Sequence, residues 1–507
     1  MGPYRTIFTG TLVQDSAFSA GGNQPHAAVD DPICKDGLDR FIIRGTTLAG
    51  ALLTTAAKIF GTVSDSISGK YYEKRDDATK AQNQERKESL WRLFNAHPQV
   101  SDGRGTPSDL RQGVKILAET GAAEDEALFD METLPRGTRW DFCMEVNIFG
   151  DSEETLSGVP SAESVAFAAL KEWERGNLWL GRSVARGMGW MHLDNLRVYQ
   201  LTTEHVDLWP DSSKEPDKAL AALQHTEIPL DRFMADETHL THNGSWYYVQ
   251  IPCSIRLGDR GSECYGLDAL AVGGHSASSL ALTWRKNHYL PIPGIKSGHP
   301  GKEFKPDLGM AMTPPADNVG TLAQDGLWEP FVPGSSIRGT LRQALSRILS
   351  MEARTAGEAA EDSPGAGAKE GCDGYAEIQK LFGTIEESSA LLVQDAYIRN
   401  GQCTAVWLHH HAEDEFSGGV YGSSKFDRVA LVQGEFHFKI VIEASAEGEA
   451  IEQFRCLDKA LSLARQGRLP LGGGQWRGLG WPQWNIGPAI LRRAGSSGEL
   501  RRLEIEQ

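Results

Sequence analysis

The sequence predicts an α+β fold made of two ferredoxin-like units in tandem, and three observations carry that prediction. Residues 180–190 (L-G-R-S-V-A-R-G-M-G-W) and 471–481 (L-G-G-G-Q-W-R-G-L-G-W) agree without a gap at Leu180/Leu471, Gly181/Gly472, Arg186/Arg477, Gly187/Gly478, Gly189/Gly480 and Trp190/Trp481. Further anchors return in the same order. Asp36-Gly37-Leu38 recurs as Asp325-Gly326-Leu327, and Gly45-Thr46-Thr47 as Gly334-Ser335-Ser336. Phe129-Asp130, trailed by Leu134 and Gly137, recurs as Phe426-Asp427 with Leu431 and Gly434. Within each half the patterning runs strand, helix, strand, strand, helix, Gly-rich loop, strand, a split β-α-β order. Collinear anchors mark duplication of a whole domain, which must be settled before any other reading.

The elements follow in order. Tyr4–Val13, rich in β-branched and aromatic residues, reads as a strand, Gly21–Gly37 as a loop and Phe41–Ile43 as a short buried strand. Gly45-Thr46-Thr47 starts a helix through about Phe60, its hydroxyls placed to take the free N–H groups of the first turn. Residues 62–90 are strongly charged and read as an exposed insertion; Trp140–Phe149 alternates as a strand, Ala162–Glu174 has helical periodicity, and Leu193–Leu201 closes the half. The second half repeats this with Trp246–Arg256, Phe331–Val332, a helix from Ser335 to about Ser350, Phe436–Glu443 and a helix over Ile451–Arg465. The domains are therefore 1–201 and 245–507, joined by a polar connector at 202–244, with an insertion at about 262–316 and a low-complexity segment at 355–374.

At 507 residues each half has enough chain for its own core, and 40% hydrophobic with 23% charged residues is ordinary for a globular protein. The net charge of −17 gives no global basic footprint for nucleic acid. Arginines nevertheless stand inside both Gly-rich loops and beside both G-[ST]-[ST] turns. Seven cysteines (34, 143, 253, 264, 372, 403, 456) form no C-x-x-C pair; the odd count without a secretory signal predicts reduced thiols and a cytoplasmic protein. The longest apolar stretch, near Leu48–Ala57, is too short for a membrane span.

Closely spaced glycines let backbone N–H groups approach a phosphate, and an arginine adds a charge-assisted fork. The candidate RNA-backbone residues are accordingly Arg182, Arg186, Gly187, Gly473, Gly474, Arg477 and Gly478. The helix starts offer a second anion site, through Arg44, Gly45, Thr46, Thr47 and Gly334, Ser335, Ser336, Arg338, Arg342. Plain turns and plain N-caps are the competing readings. Neither loop is a phosphate-binding P-loop, since no Gly-Lys-[Ser/Thr] follows. His409-His410-His411 alternates faces if on a strand, so the three cannot share one ligand set. Trp190 and Trp481 read as core residues.

F-V-P-G-S-S-I-R-G-T-L-R (331–342) followed by L-G-G-G-Q-W-R-G-L-G (471–480) resembles the RAMP superfamily of CRISPR proteins. Within it the chain is most similar to the backbone subunits of type III effector complexes, as are the segments at 111–130 and 410–420; a fused pair resembles those of III-D-like subtypes. The resemblance implies an RRM-type ferredoxin-like core with a protruding thumb, bound along a CRISPR guide RNA and its complementary target RNA. It implies as partners the large signalling subunit, further backbone subunits and the small subunit, and no membrane. It also implies that an aspartate before the P-G-S-S strand cleaves target RNA with Mg²⁺ or another divalent cation. That aspartate falls on Asp30 in V-D-D-P-I-C-K-D-G (29–37) and on Asp317 in A-D-N-V-G-T-L-A-Q-D-G (316–326), with Asp31, Asp36 and Asp325 as neighbouring alternatives.

The chemistry agrees with such a site. A free Asp titrates near about 4 and is a weak base at neutral pH, but it holds Mg²⁺, which polarises a phosphate. Turn-forming is the ordinary role of Asp beside Gly and Pro. A non-catalytic RNA-binding scaffold, a guide-processing endoribonuclease and a nucleotide-binding enzyme remain as alternatives.

Overall fold

Alternation of apolar residues at the N-terminus puts Phe8 and Leu12 on one face of a strand, and both are fully buried. In a computed structural model that strand is β1 (Arg5–Gln14). The structure describes residues 4–22, 30–69, 88–99, 108–116, 123–148, 161–202, 226–231, 244–258, 269–272, 310–313, 329–355, 375–384, 386–399, 403–413, 416–417, 419–496 and 500–503.

The first half continues with α1 (Gly45–Phe60), the single-turn α2 (Asp65–Ser68), β2 (Trp91–Leu93), β3 (Asp109–Ile116), β4 (Ala123–Thr133), β5 (Arg139–Asn147), α3 (Ala162–Glu174), β6 (Leu178–Trp179), β7 (Trp190–Leu201) and β8 (Glu227–Ile228). Its sheet runs β2-β5-β1-β7-β6. With α1 between β1 and β2 and α3 between β5 and β7, this is the ferredoxin-like order, all pairs antiparallel.

The second half repeats it: β9 (Tyr247–Leu257), β10 (Met312–Thr313), β11 (Glu329–Val332), α4 (Gly334–Thr355), α5 (Tyr375–Phe382), β12 (Leu391–Val393), β13 (Ala396–Ile398), β14 (Thr404–Glu413), β15 (Val420–Ala444), α6 (Glu447–Arg465), β16 (Gln483–Ile486), β17 (Ala489–Arg493) and β18 (Arg501–Leu503). Here β12 pairs β15, β15 pairs β9, and β9 pairs β16 and β17. Each half thus carries the same sheet with two helices on one face. Each also projects a hairpin, β3–β4 or β14–β15, between its second and third core strands.

The helices form where the sequence puts an apolar stripe. α1 buries Leu48, Leu52, Ala56, Ile59 and Phe60, spaced three to four apart, against the first sheet. α3 is buried nearly all round, because the second half covers the side that the first does not: Tyr248, Leu392, Val441 and Ala494 join the first core. Buried polar tips find partners, Trp173 Nε1 on Thr55 Oγ1 at 3.1 Å and Trp140 Nε1 on Gln14 Oε1 at 2.9 Å. Cys34, Cys143, Cys253, Cys403 and Cys456 are unbridged thiols.

Three expectations need correcting. Phe41–Ile43 makes only isolated bridges (Lys35↔Phe41 and Ile43↔Ala96), because loop segments on either side take its bonds singly. The helix-start hydroxyls do not cap α1; Asn95 Oδ1 accepts the Gly45 N–H at 2.9 Å. The third correction concerns the insertion at 262–316, parts of which belong to the shared unit. Cys34 N–H donates to Ala20 and the Cys34 carbonyl accepts from Ile42, while Ala311 N–H donates to Val272 and its carbonyl accepts from Phe331. Residues 269–272 and 310–313 are therefore fold, leaving 273–309 as the extra stretch outside the described residues.

Candidate nucleic-acid interface

The two Gly-rich loops are built alike, bond for bond. Leu180 N–H donates to Gly189, Gly189 to Ala17 and Arg182 to Ser19; Leu471 donates to Gly480, Gly480 to Ala269 and Gly473 to Ala271. Ser183 and Gly187 flank one short turn in the left-handed region, as Gly474 and Gly478 flank the other. A β-carbon on Gly181 would strike the Ser19 carbonyl, and one on Gly472 would lie 2.5 Å from the Ala271 carbonyl. The conformation therefore demands glycine. These N–H groups are spent on the protein's own carbonyls, so the loops present arginines outward rather than a bare backbone cradle. Trp190 is buried, as expected, with Nε1 on the Val184 carbonyl at 3.2 Å.

Arg186 from the first loop comes together with Arg338 and Arg342 of α4, across the two halves. Arg186 and Arg342 are exposed; Arg338 lies half-buried, with Nη2 on Ser389 Oγ at 2.9 Å and Nε buried without a hydrogen-bond partner. Burial, with the positive charges of Arg186 and Arg342, pulls Arg338 down to about 10. Both charges acting on it are positive, a setting that an anion would relieve. In the second loop Gly473 and Gly474 face Arg428, whose Nη1 is also buried without a partner and whose pKa is lowered by burial and by Arg477. Arg182 instead pairs with Asp31, and exposed Arg44 places Nε 3.0 Å from Cys34 Sγ.

At the expected helix-start anion sites the chain supplies one acceptor of its own. Gly334 N–H donates to Asp395 Oδ1 at 2.7 Å, as Gly45 N–H donates to Asn95. Exposed Thr46 and Ser335 and half-buried Thr47 and Ser336 flank these caps. A helix start takes one well-placed acceptor readily, and here the chain supplies it.

Of the aspartates, Asp30 is exposed, and its Oδ2 accepts the Asp130 N–H at 3.0 Å. Asp31 bridges β4 in parallel at Met131. Asp36 is a turn residue: its carboxylate takes Leu38 N–H at 2.8 Å, Arg40 N–H at 3.0 Å and Arg40 Nε at 2.8 Å. Against desolvation, which raises it, those bonds and the Arg40 charge together hold its carboxyl at about 2. Asp317 and Asp325 lie outside the described residues. Counting back four residues from the equivalent Cys34 and Ala311 pairs Asp30 with Asp307, also outside them. Among the described residues no three His, Cys, Asp or Glu side chains group to hold a metal ion. His410 and His411 sit on β14 opposite Phe426 and Lys425.

The residues that the sequence reading missed join the halves. Asp395, wholly buried, meets Arg111 of β3 at 2.9 Å through both oxygens and accepts Tyr397 OH at 3.2 Å. Arg136 pairs with Glu329 and covers the Tyr397 ring at 4.2 Å. Glu172 takes both Arg492 nitrogens at 2.7 Å. A faint signal existed: Leu93-Phe94-Asn95-Ala96 repeats as Val393-Gln394-Asp395-Ala396.

No helix among the described residues is long and apolar enough to cross a membrane. A family model described as the RAMP superfamily matches residues 17–192 and 267–482. No curated protein gives a significant match.

Proposed function

Because the chain belongs to the RAMP superfamily, and so to a family of CRISPR-associated RNA-binding proteins, we propose that it is a tandem backbone subunit of a type III effector complex. In this reading it holds the guide RNA and cleaves complementary target RNA through loop aspartates. The observation that carries it is the Arg186–Arg338–Arg342 cluster, where like charges meet at the seam between the halves. A phosphodiester relieves that repulsion and is the same for every sequence, as a guide-independent holder needs.

The joint between the halves favours a backbone role. The first Gly-rich loop docks on the start of α4, whereas a β-carbon on Gly478 of the second loop would meet nothing within 4 Å, and Trp476 beside it is wholly exposed. The second loop thus offers a neighbouring subunit the surface that the first uses internally. The partners proposed are further backbone subunits, the large signalling subunit and the small subunit, in the cytoplasm.

For cleavage, Mg²⁺ takes one or two carboxylates and completes its octahedron with water and phosphate oxygens. Asp30 is exposed and Asp130 beside it has Oδ1 buried without a hydrogen-bond partner, a donor pair that fits such an ion. When bound, the ion would stabilise charge building on the scissile phosphate. The Asp130 N–H fixes one Asp30 oxygen at the root of the β3–β4 hairpin, and the Asp31–Arg182 pair ties the segment to the first Gly-rich loop. Asp307 or Asp317 would serve the second half. The alternative is a non-catalytic scaffold, favoured by the structural bonds that Asp30 and Asp31 already make.

The test is guide-RNA affinity of the assembled complex against salt. Arg186→Ala and Arg342→Ala should each flatten the slope of log K on log[salt] by about 0.7, the change expected when one single-strand phosphate is no longer neutralised. Slopes identical to wild type in both variants would remove the cluster from the RNA path.

A further inference from the structure

We propose that Asp395 is a positioning residue. Its charge, through Arg111, locks the β3–β4 hairpin of the first half onto the second and so sets the place of the Asp30 segment. The consequence for cleavage rests on the role given to Asp30 above; the lock itself does not.

Comparison of the two halves separates the charge from the cap. Asn95 and Asp395 occupy the same point after the same strand and accept the same helix-start N–H, Gly45 at 2.9 Å and Gly334 at 2.7 Å. An amide is therefore sufficient to cap the helix, and the negative charge at 395 serves another purpose. The hairpin register supplies it. Gly113 pairs with Phe129 and His410 with Phe426, so Arg111 corresponds to Leu408. Both members of the ion pair are present only at the joint; the equivalent positions elsewhere hold Asn and Leu.

The lock is short and direct. Asp395 is fully buried, Arg111 is half-buried, and the guanidinium covers the Phe331 ring at 4.8 Å. Removing either partner strands the other as an unpaired charge in a largely buried site. From Arg111 the register leads at once to the candidate loop: Arg111 pairs with Met131 and Gln112 with Asp130. Asp130 N–H then holds Asp30 Oδ2 at 3.0 Å, Asp31 N–H donates to the Asp130 carbonyl at 3.2 Å, and Glu132 N–H donates to the Asp31 carbonyl at 3.0 Å. Ile33 N–H closes the set on Glu132 Oε2 at 2.9 Å.

Hydrogen–deuterium exchange on the full chain without RNA tests this. In Asp395→Asn, amides at 31, 33, 109–116 and 123–133 should exchange on the order of tenfold faster, while the first turns of α4 keep their protection because the cap survives. Combining it with Arg111→Leu restores the residue types of the equivalent positions, leaves no buried charge, and should open the hairpin no further. Unchanged exchange in the hairpin, an equal rise throughout the second half, or failure of the double variant to fold would each overturn the proposal. In the assembled complex, Asp395→Asn should lose the product of the Asp30 site with RNA affinity unchanged. A wild type that never cleaves would defeat the cleavage reading and leave the exchange result standing.

Discussion

Gly187 of the first Gly-rich loop rests against Gly334 at the start of α4: a β-carbon on Gly334 would lie 2.8 Å from Gly187 Cα and 3.0 Å from the Arg186 carbonyl. Two glycines from opposite halves let the backbones touch. Gly334→Ala should destabilise the chain by about 1–3 kcal/mol through overpacking, against the Val393 carbonyl in its own half as well as against Gly187. Gly339, one helical turn on, has open space around it, and Gly339→Ala should stabilise by up to about 1 kcal/mol. Denaturant melts of the two variants check the contrast; equal effects would mean that neither the Val393 carbonyl nor Gly187 confines that position.

Target cleavage should separate the candidate aspartates. With Mg²⁺, Asp30→Ala should remove one product and Asp307→Ala a second, RNA binding being intact. If Asp317→Ala removes the second product and Asp307→Ala does not, the register drawn from Cys34 and Ala311 does not extend to the candidate aspartate of the second half. Loss of neither product would leave the chain a scaffold.

Acid should weaken the seam between the halves. Despite burial, which opposes it, the Arg492 pair holds Glu172 down at about 2 against 4.5 for an ordinary Glu. A carboxyl lowered on folding contributes stability above the unfolded value, and that contribution fades as pH falls from about 4.5 towards 2. The difference is worth about 3 kcal/mol near neutrality. Glu172→Gln should be destabilised by that order at pH 7, by about 1.4 kcal/mol at pH 3, and hardly at all only below about pH 2. A gap independent of pH would mean that shape, not charge, matters there.

Trp476→Ala should leave the fold alone and harm assembly. The side chain is 100% exposed, so the change in stability should stay within about 0.5 kcal/mol. Its counterpart Ala185 is half-buried against the first core. Interface tryptophans commonly contribute about 2 kcal/mol or more. Co-purification with the other subunits should fall accordingly; unaltered recovery would remove this loop from the interface.

The repeat was legible because it is enforced by geometry. Gly181, Gly189, Gly472 and Gly480 adopt positive φ, and Gly181 and Gly472 also press on a carbonyl, so few other residues could stand there. The helix at Ala162–Glu174 was legible because its apolar period is unbroken. The core stretch 269–272 was not, since Ala-Leu-Ala-Val and Ala17-Phe18-Ser19-Ala20 share little beyond backbone bonds, which almost any side chain permits.

By itself, then, the sequence determined that one domain occurs twice, which loops are glycine-bound and which arginines face outward from them. Those properties are local, set by φ, by period and by charge. Tertiary structure alone decided which arginines meet, that the helix start already holds its own acceptor, and that Arg111 reaches Asp395 from the other half. Those outcomes depend on contacts between residues from 50 to 284 positions apart, and a buried charge reveals its purpose only when its partner is in place.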